Sequence, residues 1–162
     1  MYSTLKGCVT IWVVTFSVLA FSLASCDKDD DDDNNNDKVE YNLAASADGG
    51  QETPSVVTNA TGSLTGTYNK STNAMSYTVT WSDLSGPPTD MHFHGPADPG
   101  TPANVAVPIT GFGTDISGSY DGSATLTDAQ EAELLAGKWY YNVHTDAHPA
   151  GEVRGQIAAT AR

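Results

Sequence analysis

From Val39 onward the dominant pattern along the chain is alternation of apolar and polar positions. In Ala74–Leu84 the residues Met75, Tyr77, Val79 and Trp81 fall on one side, with Ser76, Thr78, Thr80 and Ser82 on the other. That period of two marks a half-buried β-strand. Gly62–Asn69 places Leu64, Gly66 and Tyr68 on one face, and the polar stretch Asn69–Asn73 between these two runs predicts a β-hairpin. Shorter or weaker runs predict strands over Val39–Ala47, Asp90–His94, Val105–Thr110, Asp115–Tyr120, Lys138–Thr145 and Gly151–Ala158. Trp81, Trp139 and Tyr141 occupy the alternating positions of a buried face, so they are expected in the core.

One stretch departs from the strand pattern. Thr127 followed by Gln130 has the spacing of a capping box. Asp128, Glu131 and Glu133 suit the positive N-terminal half of a helix, and Gly137 stands where a helix C-terminus favours a left-handed residue. A short exposed helix is expected here, its glutamates solvated. Many short strands with one short helix predict an all-β domain, an antiparallel β-sandwich or Greek-key barrel.

The N-terminal part reads differently. Lys6 precedes an apolar run from Val9 to about Leu23 that is too short to span a bilayer comfortably. A basic start, an apolar middle and a small-residue end predict a signal peptide over residues 1–25. Leu23-Ala24-Ser25-Cys26 resembles the lipobox of bacterial lipoproteins, which implies that Cys26 becomes the lipidated (palmitate-bearing) first residue of the mature chain. The only other cysteine is Cys8, inside the signal, so no disulfide is expected in the mature protein. Residues 26–38 form an anchor and tether, in which Asp27–Lys38 holds no apolar residue and cannot offset its own ordering entropy. A calcium loop would need a turn glycine and a distal glutamate, both absent. The acidic run resembles the export signal that sends some Gram-negative lipoproteins to the outer cell surface. The resemblance implies an outer-membrane lipoprotein facing outward, with a periplasm-facing one as the alternative.

Residues 39–162 suffice for one domain. The whole chain has a formal net charge of −13. In residues 39–162, 13 acidic residues against Lys70, Lys138, Arg154 and Arg162 leave −9. Nothing there resembles the basic footprint that nucleic acid requires. Attachment to an anionic membrane would have to come from the lipid on Cys26.

The candidate chemistry lies in two motifs, His92-Phe93-His94-Gly95-Pro96 and Asn142-Val143-His144 through His148, Gly151, Glu152, Arg154 and Gly155. In a strand, His92 and His94 project from one face while Met91 and Phe93 face the other way. Tyr140, Asn142 and His144 likewise share a face. If the two strands are neighbours, His92, His94 and His144 converge, with His148 or Glu152 as further ligands, and imidazoles suit zinc or copper. The competing reading is a hydrogen-bond network tying down the Gly- and Pro-rich loop after His94, with no cofactor. Arg154 is expected near the rim, since burying it against a carboxylate is costly. No Gly-x-Ser-x-Gly elbow or phosphate-cradling loop is present.

These motifs, with Gly49–Tyr68, Leu84–Gly100 and Leu126–Ile157, resemble the CHRD (chordin) domain over Tyr41–Ile157. The resemblance implies an exported, non-enzymatic β-domain that binds an extracellular protein or ligand or serves a structural role, of immunoglobulin-like or Cu/Zn superoxide dismutase-like architecture. The His-x-His strand and downstream arginine are similar to those of the dismutases. That family, however, uses more histidines, an aspartate and a disulfide, so a two-metal site is not expected.

Overall fold

In a computed structural model, residues 39–162 are described; the segments expected to be a signal peptide and an acidic tether, with Cys26, lie outside the described residues. Nine strands carry the domain: β1 (Glu40–Asp48), β2 (Thr61–Asn69), β3 (Ala74–Ser82), β4 (Pro88–His94), β5 (Val105–Ile109), β6 (Gly118–Thr125), β7 (Tyr140–Thr145), β8 (His148–Gln156) and β9 (Ala158–Ala161). They pair antiparallel in the order β5-β4-β7-β8-β1-β2-β3-β6, with β9 on β1. This is the expected all-β class, a sheet that curls into a nearly closed barrel.

The curl has a visible hinge. β8 pairs in register with β1 at one position, Arg154 opposite Asp48, and after Ile157 the chain continues as β9 alongside Tyr41–Ala44. One strand therefore serves β7 first and β1 afterwards, joining the two halves at a corner. Across the core, Tyr77 of β3 meets Phe93 of β4 edge-on, with centroids 4.9 Å apart. Met75, Val79, Trp81, Trp139, Tyr141, Val143 and Val153 fill the remaining space. The strand alternation thus sorts these side chains as expected, and Trp81, Trp139 and Tyr141 belong to the core.

Beyond shifts of one or two residues at strand ends, three boundaries move. The sixth strand is Gly118–Thr125, not Asp115–Tyr120. Its sequence carries little apolar signal, and its place is set by full-length pairing with β3, from Trp81–Gly118 to Ala74–Thr125. Asp115 instead lies in a bend whose carbonyl accepts from Trp81 Nε1 at 2.8 Å. His148 opens β8 opposite Thr145, so the turn before it is shorter than the sequence suggested. Residues 151–158, expected as one strand, are split at Ile157 by the corner.

The helix α1 spans Asp128–Leu135 with the full capping box: Thr127 Oγ1 accepts from the Gln130 amide, and the Gln130 side chain reaches back to the Thr127 N–H. Gly137, at φ +70°, follows its C-terminus. Its glutamates are not simply solvated. Glu131 accepts from the Tyr68 hydroxyl, and Glu133 accepts from Trp139 Nε1 at 3.1 Å. The helix thus caps two core aromatics that carry a polar atom. Replacing Thr127 by alanine is expected to cost about 1 kcal/mol, the usual worth of an N-cap. Thermal denaturation followed by circular dichroism measures it, and an unchanged melting temperature would contradict the cap's role.

Candidate functional site

The outer face of β4, β7 and β8 is polar, yet much of it is buried. Register alone assembles it: His94 opposes Tyr140, His92 opposes Asn142, and Asp90 opposes His144. On the other side Asn142 opposes Arg154 and Tyr140 opposes Gln156. Two loops close over this face, Gly49–Pro54 and Gly95–Asn104. Neighbouring strands therefore do bring the two motifs together.

Glu152 forms the tightest knot. It is fully buried and accepts four hydrogen bonds: from Thr58 Oγ1 and the Ser85 amide on Oε1, at 2.8 and 2.9 Å, and from Ser85 Oγ and Thr145 Oγ1 on Oε2, at 2.7 and 2.8 Å. Burial pushes its carboxyl up, but the Ser85, Thr145 and Thr58 side chains and the Ser85 N–H outweigh it and hold the group below 4.5. One carboxylate thereby pins two loops to β7 and β8.

Arg154 corrects an expectation. It is 2% exposed rather than at the rim. Its guanidinium lies 3.5 Å from the Tyr140 ring centroid. Longer hydrogen bonds reach Gln156 Oε1, the Asp98 carbonyl and Thr53 Oγ1, at 3.3 to 3.5 Å. The aromatic face replaces part of the lost hydration, which is what makes burial tolerable here. His94 stacks on the same ring with centroids 4.8 Å apart, so Tyr140 is held between side chains from both neighbouring strands.

Glu52, in the first covering loop, faces this stack. Burial pushes its carboxyl up against the opposing pull of the Thr53 N–H, the Arg154 charge and the Asn142 amide. Its Oε1 is buried without a hydrogen bond of normal geometry. Gly151, at φ +125°, makes room for it, since a Cβ there would lie 2.2 Å from that oxygen. Gly95 does the same for Trp139, whose Cδ1 would lie 2.3 Å from an added Cβ. Between the loops, Gln51, Glu52, Arg154 and Gln156 line a cavity of about 160 Å³ beneath Pro99 and Gly100.

The histidines occupy the other half of the face. His94 Nδ1 donates to the Ala103 carbonyl at 3.0 Å, and His144 Nδ1 donates to the Pro149 carbonyl at 3.0 Å. Their Nε2 atoms both point at Asn142 Oδ1, at 3.0 and 2.9 Å. His92 Nδ1 approaches His144 Nε2 at 3.2 Å. One nitrogen from each of His92, His94 and His144 lies within 4.8 Å of the others. His148 and Glu152 are not part of this group. Burial lowers the His94 imidazole against the pull of the Ala103 and Asn142 hydrogen bonds; burial together with His144 and His94 lowers that of His92 against Asp90.

The loop after His94 is tied down from below. Besides the His94 bond, Gln156 Nε2 donates to the Ala97 carbonyl, and the Ala103 amide donates to the Tyr140 hydroxyl. Pro96, at the start of this loop, is exposed, whereas Gly155 packs in the buried interior of β8 with its α-carbon facing Ser46 and Tyr141. Sequence reading had not singled out Thr58, Ser85, Thr145 or Glu52. The first three lie within the family-like blocks but carry ordinary hydroxyls that give no sign of a shared partner, and Glu52 sits in a Gly- and Pro-flanked loop that looks like a surface turn.

A comparison with family models matches the CHRD domain over residues 43–157. Searches of curated proteins and of solved structures return no match. The matched span holds every strand from β2 to β8, the helix and both histidine motifs, and the chain belongs to the CHRD family.

Proposed function

We propose that this chain is a non-catalytic CHRD module, held on the outer membrane through lipid on Cys26 and displayed at the cell surface for binding or structural contact. One observation carries the non-catalytic reading. Glu152, Gln156, Tyr140 and the Nδ1 atoms of His94 and His144 spend their polar atoms on the protein's own loops and backbone. Groups engaged in this way build rigid loops and leave little free to act on a substrate. The family is in keeping with a binding or structural module.

The anchor rests on the lipobox, and the outward orientation on the acidic run Asp27–Lys38 that follows Cys26. Among the described residues no helix is long and apolar enough to cross a membrane; the proposed attachment is at Cys26, before Val39. Metabolic labelling with an alkyne fatty acid in a Gram-negative host is the test. Label is expected on the wild-type chain and lost in Cys26→Ala, with protease added to intact cells degrading the labelled protein. Recovery of unlabelled protein in the cytoplasmic fraction would overturn the anchor. Labelled protein resisting protease on intact cells would place it on the periplasmic side.

A further inference from the structure

We infer that His92, His94 and His144, completed by the side-chain oxygen of Asn142, form a mononuclear site for a divalent transition-metal ion of the zinc type. The inference stands on the geometry of the histidine half of the face and is independent of the lipid anchor.

Tautomers come first. The Ala103 and Pro149 carbonyls each take an Nδ1–H, leaving the Nε2 lone pairs of His94 and His144 bare when the rings are neutral. A backbone carbonyl on the far nitrogen is the usual outer-shell partner of a metal-bound histidine, fixing both ring orientation and the ligating atom. Both bare nitrogens face Asn142 Oδ1, itself an acceptor, at 3.0 and 2.9 Å. Lone pairs converging without a proton between them repel one another. A cation at their centre turns the repulsion into coordination.

The spacing fits. Ligands at about 2.0–2.1 Å in a tetrahedron stand roughly 3.3 Å apart. His92 Nδ1 to His144 Nε2 is 3.2 Å, and the two contacts to Asn142 Oδ1 are close to the same edge. The three nitrogens already lie within 4.8 Å of one another, so a modest rotation of one ring closes the set. His92, the least buried of the three, gives the ion a way in, and Asp90 beside it supplies attractive charge. Three imidazoles suit zinc, with the neutral amide oxygen as the weak fourth donor, and cobalt serves as its spectroscopic substitute. His148 and Glu152 fall outside the set.

The same four atoms have a metal-free solution: the Asn142 amide turned over, its NH2 donating to both Nε2 atoms. Zinc and cobalt titrations of the untagged full-length chain, against a chromophoric chelator, separate the two. One equivalent is expected, with the strong visible bands of tetrahedral cobalt. His92→Ala should weaken binding by more than about 100-fold, beyond the cost of losing an outer-shell partner. His148→Ala should leave binding unchanged. Zinc at about 100-fold excess over its dissociation constant should raise the wild-type melting temperature by roughly 10 °C. No uptake, or uptake equal in His92→Ala, overturns the proposal and assigns the face to the turned-over amide or the metal to the acidic run. Should His92→Ala fail to fold, the wild-type cobalt spectrum decides, because octahedral carboxylate-bound cobalt lacks the tetrahedral bands.

Discussion

Glu152→Ala is expected to destabilise the domain by about 3–5 kcal/mol, lowering its melting temperature by roughly 10–20 °C. The side chain is wholly buried, and four donors depend on it. Ser85 lies near solvent and finds water once the carboxylate is gone. Thr145 is fully buried and does not. Thr58 would release its loop, and with it the covering of the polar face. Glu152→Gln separates charge from shape. The carboxyl is held below its ordinary 4.5, so its stabilisation is complete above that pH and is lost as pH falls through the folded-state value. Melting temperatures of wild type and Glu152→Gln should therefore differ most near neutrality and converge in acid. A gap independent of pH would mean that Glu152 acts by packing alone.

How much of this was legible in the sequence follows from what each level of structure depends on. Alternation is a local property, so β3, its hairpin with β2, and the aromatic core were readable from side-chain type alone. The capping box was equally local, and Thr127 and Gln130 sit as their spacing demanded. Pairing partners are not local. β6 is drawn into register by β3, because its own inward positions, Gly118, Tyr120, Gly122 and Ala124, offer only a weak apolar signal between Ser, Asp and Thr. The site divides in the same way. The convergence of His92, His94 and His144 needed only alternation and one correct guess, that β4 and β7 are neighbours. The burial of Arg154 could not be read, because it depends on two loops folding over the sheet and on Tyr140 offering its ring. Glu131 and Glu133 were misjudged for a related reason: a short helix that buries only Leu134 gives no sign of which distant aromatics, here Tyr68 and Trp139, will donate to it.

The burial of Arg154 leads to the other large effect. Arg154→Ala is expected to cost about 3–5 kcal/mol, whereas Lys70→Ala should stay within about 1 kcal/mol. Lys70 pairs with Glu131 at 3.7 Å, with both side chains partly exposed. His94→Ala should fall between them, since it loses a stacking contact and the Ala103 tie while leaving the guanidinium in place. Removing Arg154 takes away the planar group on Tyr140 and the bonds to Thr53, Asp98 and Gln156. It also takes away the positive charge that opposes the desolvation of Glu52, so that carboxyl is driven further toward its neutral form. Arg154→Lys should recover little of the loss, because an ammonium neither stacks as a plane nor reaches three acceptors in a fixed fork. Thermal denaturation of the four variants at neutral pH orders them. Equal melting temperatures for Arg154→Ala and Lys70→Ala would show that the buried guanidinium contributes no net stability. The loops over the polar face would then be held by Glu152, Gln156 and the histidines without it.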